Sequence, residues 1–133
     1  MNNLQRYIDL YEKKTGESVD FSGFSLVNDL LVNEDNEYLK VYPSGEWFTW
    51  AVREENGTRY LWLGQTCGNV ATFVPYINQV MDLNNLQKIV TATARNPAAH
   101  MRKWKMSRLE DKDYEFEGRH YYVLIGDRQN LRG

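Results

Sequence analysis

Two rhythms of apolar positions run along the chain. Leu4, Tyr7, Ile8 and Tyr11 recur at three- and four-residue spacing. That is one face of a helix, which Asn2 or Asn3 can cap and Gly16 can end. Val70, Phe73, Val74, Ile77, Val80 and Met81 repeat the spacing and predict a second amphipathic helix over 70–82. Between them the pattern alternates. Residues 37–42, 46–54 and 58–63 read as strands, the second rich in Trp47, Phe48, Trp50 and Val52. Pro43, Ser44 and Gly45 supply one turn, and Asn56-Gly57 is the strongest hairpin signal in the chain. The stretch 21–24 looks like a turn. In the run 26–32 a strand and a helix share the pattern; the expectation is a short helix.

Beyond the second helix, 83–85 reads as a turn and 88–94 as a strand. A strand, helix, strand connection implies a parallel pair with a right-handed crossover. Asn96 and Pro97 open a last helix, with proline in the first turn where its missing N–H is harmless. Residues 114–116 and 120–125 form a closing hairpin around Glu117 and Gly118, and 127–133 read as a polar tail. The expected architecture is α/β (α+β): N-terminal helices, then β-β-β-α-β-α-β-β in one mixed central sheet with helices on both sides. A single domain over 1–133 is expected, with a helical part at 1–35, a sheet core at 36–126 and the tail at 127–133.

Composition narrows the function. With 16 Lys and Arg against 18 Asp and Glu, net charge −2, and no block of like charge, a general nucleic-acid binder is disfavoured. Arg95, Arg102, Lys103 and Lys105 do gather around the last helix, either to meet a ligand phosphate or to solvate the helix face. The single Cys67 excludes an internal disulfide and fits a reducing compartment. No apolar run reaches the length of a membrane span, and the N-terminus carries no signal-peptide pattern, so the expected location is the cytoplasm. One Cys and two His without paired spacing do not make a structural zinc site, and no P-loop pattern occurs.

The candidate chemistry centres on 64–70. Gly64 and Gly68 bracket an expected turn between strand and helix, where free amides and the helix dipole favour an anion. A phosphate-bearing cofactor is the functional reading; the alternative is a turn that merely needs glycine.

The element order resembles the GNAT fold, the acyl-CoA N-acyltransferase family, from that family's second strand to its end. The family binds the pyrophosphate of acetyl-CoA with Gln/Arg-x-x-Gly-x-Gly/Ala at the turn between its fourth strand and third helix. Gln65, Thr66, Cys67, Gly68, Asn69 and Val70 stand there, with Val70 replacing the small last residue. Asn96 and Ala99 match an Asn and Ala at the start of a later helix, where the family's Asn lies near the pantetheine arm. The terminal hairpin also looks like the family. Phage-encoded proteins with a GNAT-like domain have a similar Asn…His-x-Arg helix, matched by Asn96, His100 and Arg102. The resemblance implies acetyl-CoA as co-substrate and an amine acceptor, in the cytoplasm or, for a phage protein, the host cytoplasm or a virion. It departs where the family's first strand gives way to a helix, where Lys103 falls at the position of the thiolate-protonating Tyr, and where Ser107-Arg108 replaces Gly-Phe.

Acyl transfer needs a polarised thioester, a base for the amine and an acid for the thiolate. The strand end at Leu61, Trp62 and Leu63 is the candidate for the first. Glu54 or Glu55 is the candidate base, against a reading as solvated carboxylates beside Asn56-Gly57. His100, Lys103 and Tyr122 are candidate acids. Trp47, Trp50 and Trp62 line an acceptor pocket or fill the core. Two rival functions remain. One is a cysteine hydrolase using Cys67, at a helix N-terminus, with His120. The other is a non-catalytic phage structural or host-interaction protein on the same scaffold.

Overall fold

The computed structural model describes residues 3–129. Asn3–Thr15 forms α1, the helix whose apolar face was expected. It ends as read: Gly16 takes φ 73° and its N–H donates to the Glu12 carbonyl at 2.9 Å, a left-handed cap. Lys13 and Lys14 sit in the last turn, where cations complement the helix dipole. A cap at Asn2 lies outside the described residues.

The short helix expected at 26–32 is instead a hairpin of β1 (Ser25–Val27) and β2 (Leu30–Val32). Val27 pairs with Leu30, so two residues make the turn: Asn28 at φ 51° and Asp29 at φ 66°. Positive φ at both central positions matches the right-handed twist of the strands, and Asn and Asp tolerate it. The apolar run concealed a turn at its centre.

The meander follows as β3 (Tyr38–Val41), β4 (Trp47–Glu55) and β5 (Thr58–Cys67), with Asn56 and Gly57 at φ 54° and 81° in the last turn. β5 runs four residues past the expected end at Leu63. Then come α2 (Val70–Asn84) and β6 (Lys88–Thr93), which lies parallel to β5. The chain closes with α3 (Pro97–Trp104), β7 (Ser107–Arg108), a 3-10 turn (Glu110–Lys112), β8 (Tyr114–Phe116) and β9 (Arg119–Asp127). Glu117 and Gly118 turn the last hairpin at φ 51° and 78°. Among the described residues, three α-helices accompany one mixed nine-stranded sheet. Its order is β1-β2-β3-β4-β5-β6-β9-β7, with β8 on β9. The front two strands and β7 are additions to the expected order.

The chain divides into two compact units, one of residues up to Ala51 with Gly64–Asn69, the other of Val52–Leu63 and everything from Val70 on. In the first, Leu39, Trp47 and Cys67 are the buried centre, and Leu4, Tyr7, Ile8 and Tyr11 of α1 pack on them. In the second, Leu61, Leu63, Phe73, Ile77, Met81, Leu86, Ile89 and Leu124 are fully buried. Phe73 and Trp104 stack there at 6.5 Å. The expected polar tail begins differently: Arg128 is buried, donating to the Leu86 carbonyl and paired with Asp82. A guanidinium this deep needs such partners. The rest of the tail lies outside the described residues.

Candidate functional site

The turn between β5 and α2 is shorter than expected. Gly64 lies inside β5, not in the turn, and Gln65, Thr66 and Cys67 complete the strand. Glycine at 64 has a packing cause. A Cβ there would fall 2.2 Å from Thr49 Oγ1, the oxygen that accepts the Gln65 backbone N–H at 2.9 Å. The turn proper is Gly68 and Asn69. Gly68 is exposed at φ 145°, open to glycine and strained for other residues.

The Asn69 amide, expected to be open, already holds an anion. Its N–H donates to Glu46 Oε2 at 2.7 Å, and the Ser44 hydroxyl donates to Glu46 Oε1 at 2.8 Å. A carboxylate thus sits where the sequence suggested a phosphate, favoured by the amide ahead of the helix. Sequence reasoning missed Glu46, since nothing in the spacing links it to a turn 23 residues on.

Leu61, Trp62 and Leu63 pair with Ile89, Val90 and Thr91 in a ladder of three residues, although β5 continues to Cys67 and β6 to Thr93. The Leu63 carbonyl accepts the buried Thr91 hydroxyl at 2.7 Å. Leu61 and Leu63 are buried and Trp62 is half-buried.

The catalytic candidates are not joined by hydrogen bonds. Glu54 is exposed near the end of β4, and its neighbour Glu55 pairs with Lys112 at 2.7 Å. His100 is half-buried on α3. Burial pushes its imidazole below the ordinary value, and the charges of Lys103 and Arg95 push it further down, so it is neutral at pH 7. Lys103 is exposed on the same helix. Asn96 is exposed, and its Oδ1 accepts the Ala98 N–H at 3.0 Å as the cap of α3. Its side-chain N–H₂ is not needed for that cap. Trp47 and Trp50 are core residues, at 0% and 6% exposure, so neither lines an open pocket.

The surroundings of Cys67 oppose the cysteine-hydrolase chemistry. Cys67 is buried, and its thiol donates to the Tyr7 carbonyl at 3.2 Å. Burial pushes its pKa up, opposite to the expected helix-terminus effect. His120 faces Glu115 and Asp113. Cys67 should therefore alkylate with iodoacetamide at pH 7 at least about tenfold more slowly than free cysteine. Mass spectrometry of the intact protein measures this, and a rate equal to free thiol would contradict the buried, protonated sulfur.

Among the described residues no cluster of three or more His, Cys, Asp and Glu is placed to hold a metal, and no helix is long and apolar enough to cross a membrane. No protein-family model and no curated protein matches the sequence. Among solved structures, the crystal structure of an N-acetyltransferase from Staphylococcus aureus Mu50 is similar, with TM-score 0.54 and 13% identity. The match covers 96% of this chain and 91% of that one. At that identity the likeness is one of architecture: the chain has the fold of an N-acetyltransferase.

Proposed function

We propose that this protein binds an acyl-CoA at the β5–α2 turn and transfers the acetyl group of acetyl-CoA to an amine. The observation that carries the reading is the Asn69 amide, which holds a carboxylate oxygen at 2.7 Å in a fold like that of an N-acetyltransferase. In the binding step Glu46 swings away, and the amides of Gly68, Asn69 and Val70 take the diphosphate. Gln65, Thr66 and Cys67 fix the strand leading into that turn. Leu61, Trp62 and Leu63 are paired with β6, so the main chain of β5 past Leu63, where that ladder ends, orients the thioester, and the Asn96 side-chain N–H₂ donates to the pantetheine arm. The amine nitrogen attacks the thioester carbon, the C–S bond breaks, and the amine proton leaves to a base. Glu54 or neutral His100 accepts that proton, and Lys103 protonates the departing thiolate. The setting is the cytoplasm.

A second reading, a non-catalytic phage structural or host-interaction protein on this fold, is favoured by Lys103 at the family's Tyr position. Glu46→Gln separates the two. In the first reading it removes a charge that competes with the diphosphate, and acetyl-CoA affinity rises about three- to tenfold, on the order of 1 kcal/mol. Gly68→Asp, which puts a carboxylate into the turn, removes binding. At 100 times the dissociation constant the ligand stabilises the fold by about 2.7 kcal/mol, readily seen as a melting shift. No shift with acetyl-CoA in either the parent chain or Glu46→Gln selects the second reading.

A further inference from the structure

The β8–β9 hairpin carries a charge arrangement that acyl transfer does not use. His120, on β9, stands between two carboxylates: Nδ1 is 2.6 Å from Glu115 Oε1 and Nε2 is 3.1 Å from Asp113 Oδ2. Carboxylates only accept hydrogen bonds, and a neutral imidazole has a single N–H. Both contacts are hydrogen bonds only when the ring carries two protons. The geometry is that of an imidazolium.

The two carboxylates are held differently. Asp113 also accepts the Val123 N–H at 2.8 Å and pairs with Arg108 of β7. Those contacts, the Val123 N–H first, keep its carboxyl ionised below the ordinary range. Glu115 is exposed on three-residue β8, opposite His120 in the register. Arg108 lies over the Tyr122 ring at 4.9 Å, and that ring meets His120 edge-on at 4.6 Å. Asp113, Glu115 and, behind Asp113, Arg108 are the charges around the imidazole. On the far side of β9, β6 places Thr93 opposite Tyr122 and adds no charge there.

We propose that protonated His120 is a pH-operated clasp that holds β8 against β9, and that loss of its proton frees β8 at Glu115 while Asp113 stays anchored. The neutral ring turns a lone pair toward one carboxylate, and the arm with no second anchor yields. Glu115, then Asp113, hold the His120 imidazole above its ordinary value of 6.5. A raised folded-state pKa gives stability that is fully present below the unfolded value and lost as pH rises through the folded one. The clasp is thus closed in mild acid and opens above the His120 titration.

NMR on the full chain tests this by following both imidazoles and the β8 amide hydrogens across pH 5.5–9. His120 is expected to titrate above 6.5 and His100 below it. Exchange of the β8 amides, corrected for intrinsic base catalysis, should rise several-fold as His120 loses its proton. Glu115→Gln, an exposed substitution, should lower the His120 titration and leave β8 exchanging fast at every pH. A His120 titration at or below its ordinary value, or β8 exchange that ignores the titration, overturns the clasp.

Discussion

Trp47→Ala is expected to destabilise the protein by about 3–5 kcal/mol, the range for removing a large aromatic ring from a core. Trp47 has no exposed surface and is wedged between Tyr11 at 5.2 Å and Phe21 at 4.9 Å. It shares the first unit's buried centre with Leu39 and Cys67, so the cavity would open under α1. Its indole N–H has no hydrogen-bond partner, so the loss is one of packing alone. Trp47→Phe keeps an aromatic ring and removes an unpaired buried donor. Its cost should be less than about half that of the alanine variant. Urea unfolding measures both. With roughly 3 °C per kcal/mol for a chain of this size, the alanine variant should melt about 10 °C lower or more. A drop under about 3 °C would contradict the packing described here.

Gly64→Ala is the second large effect, about 2–4 kcal/mol. The new Cβ would lie 2.2 Å from Thr49 Oγ1, a separation that forces movement. Thr49 is buried and β-branched, so its hydroxyl moves only by leaving its rotamer and giving up the Gln65 N–H. Overpacking contributes about 1–3 kcal/mol and the lost hydrogen bond about 1. Thr49→Ala in the same chain removes the clash. The double variant should therefore be more stable than the two single effects add up to, by about 1 kcal/mol or more. Strict additivity in a double-mutant cycle would mean the two residues do not meet.

Local chemistry was legible in the sequence where one residue type has one backbone role. The α1 face, the Gly16 cap, the Asn56-Gly57 and Glu117-Gly118 turns and the parallel crossover all follow from such signals. The β1–β2 hairpin is not legible in the sequence because the apolar spacing masks Asn28 and Asp29, whose positive φ makes that turn. In the sequence Gly64 reads as turn punctuation, because the hydroxyl it makes room for is 15 residues away on another strand. The same limit hid the occupied Asn69 amide and the burial of Arg128, whose partner Asp82 is 46 residues distant. His120 illustrates a different gap. The hairpin sets it opposite Glu115, yet the sequence suggests Cys67 as its partner, because burial of that thiol is not visible in a string of residues.

Whether the β5–α2 turn binds diphosphate is measured most directly at its own amides, by titrating ¹⁵N-labelled protein with acetyl-CoA. The proposed function predicts saturable shifts of Gly68, Asn69 and Val70 as Glu46 is displaced, and their loss in Gly68→Asp. Amides that stay still at millimolar acetyl-CoA, in a chain whose spectrum is otherwise that of the folded protein, would contradict it.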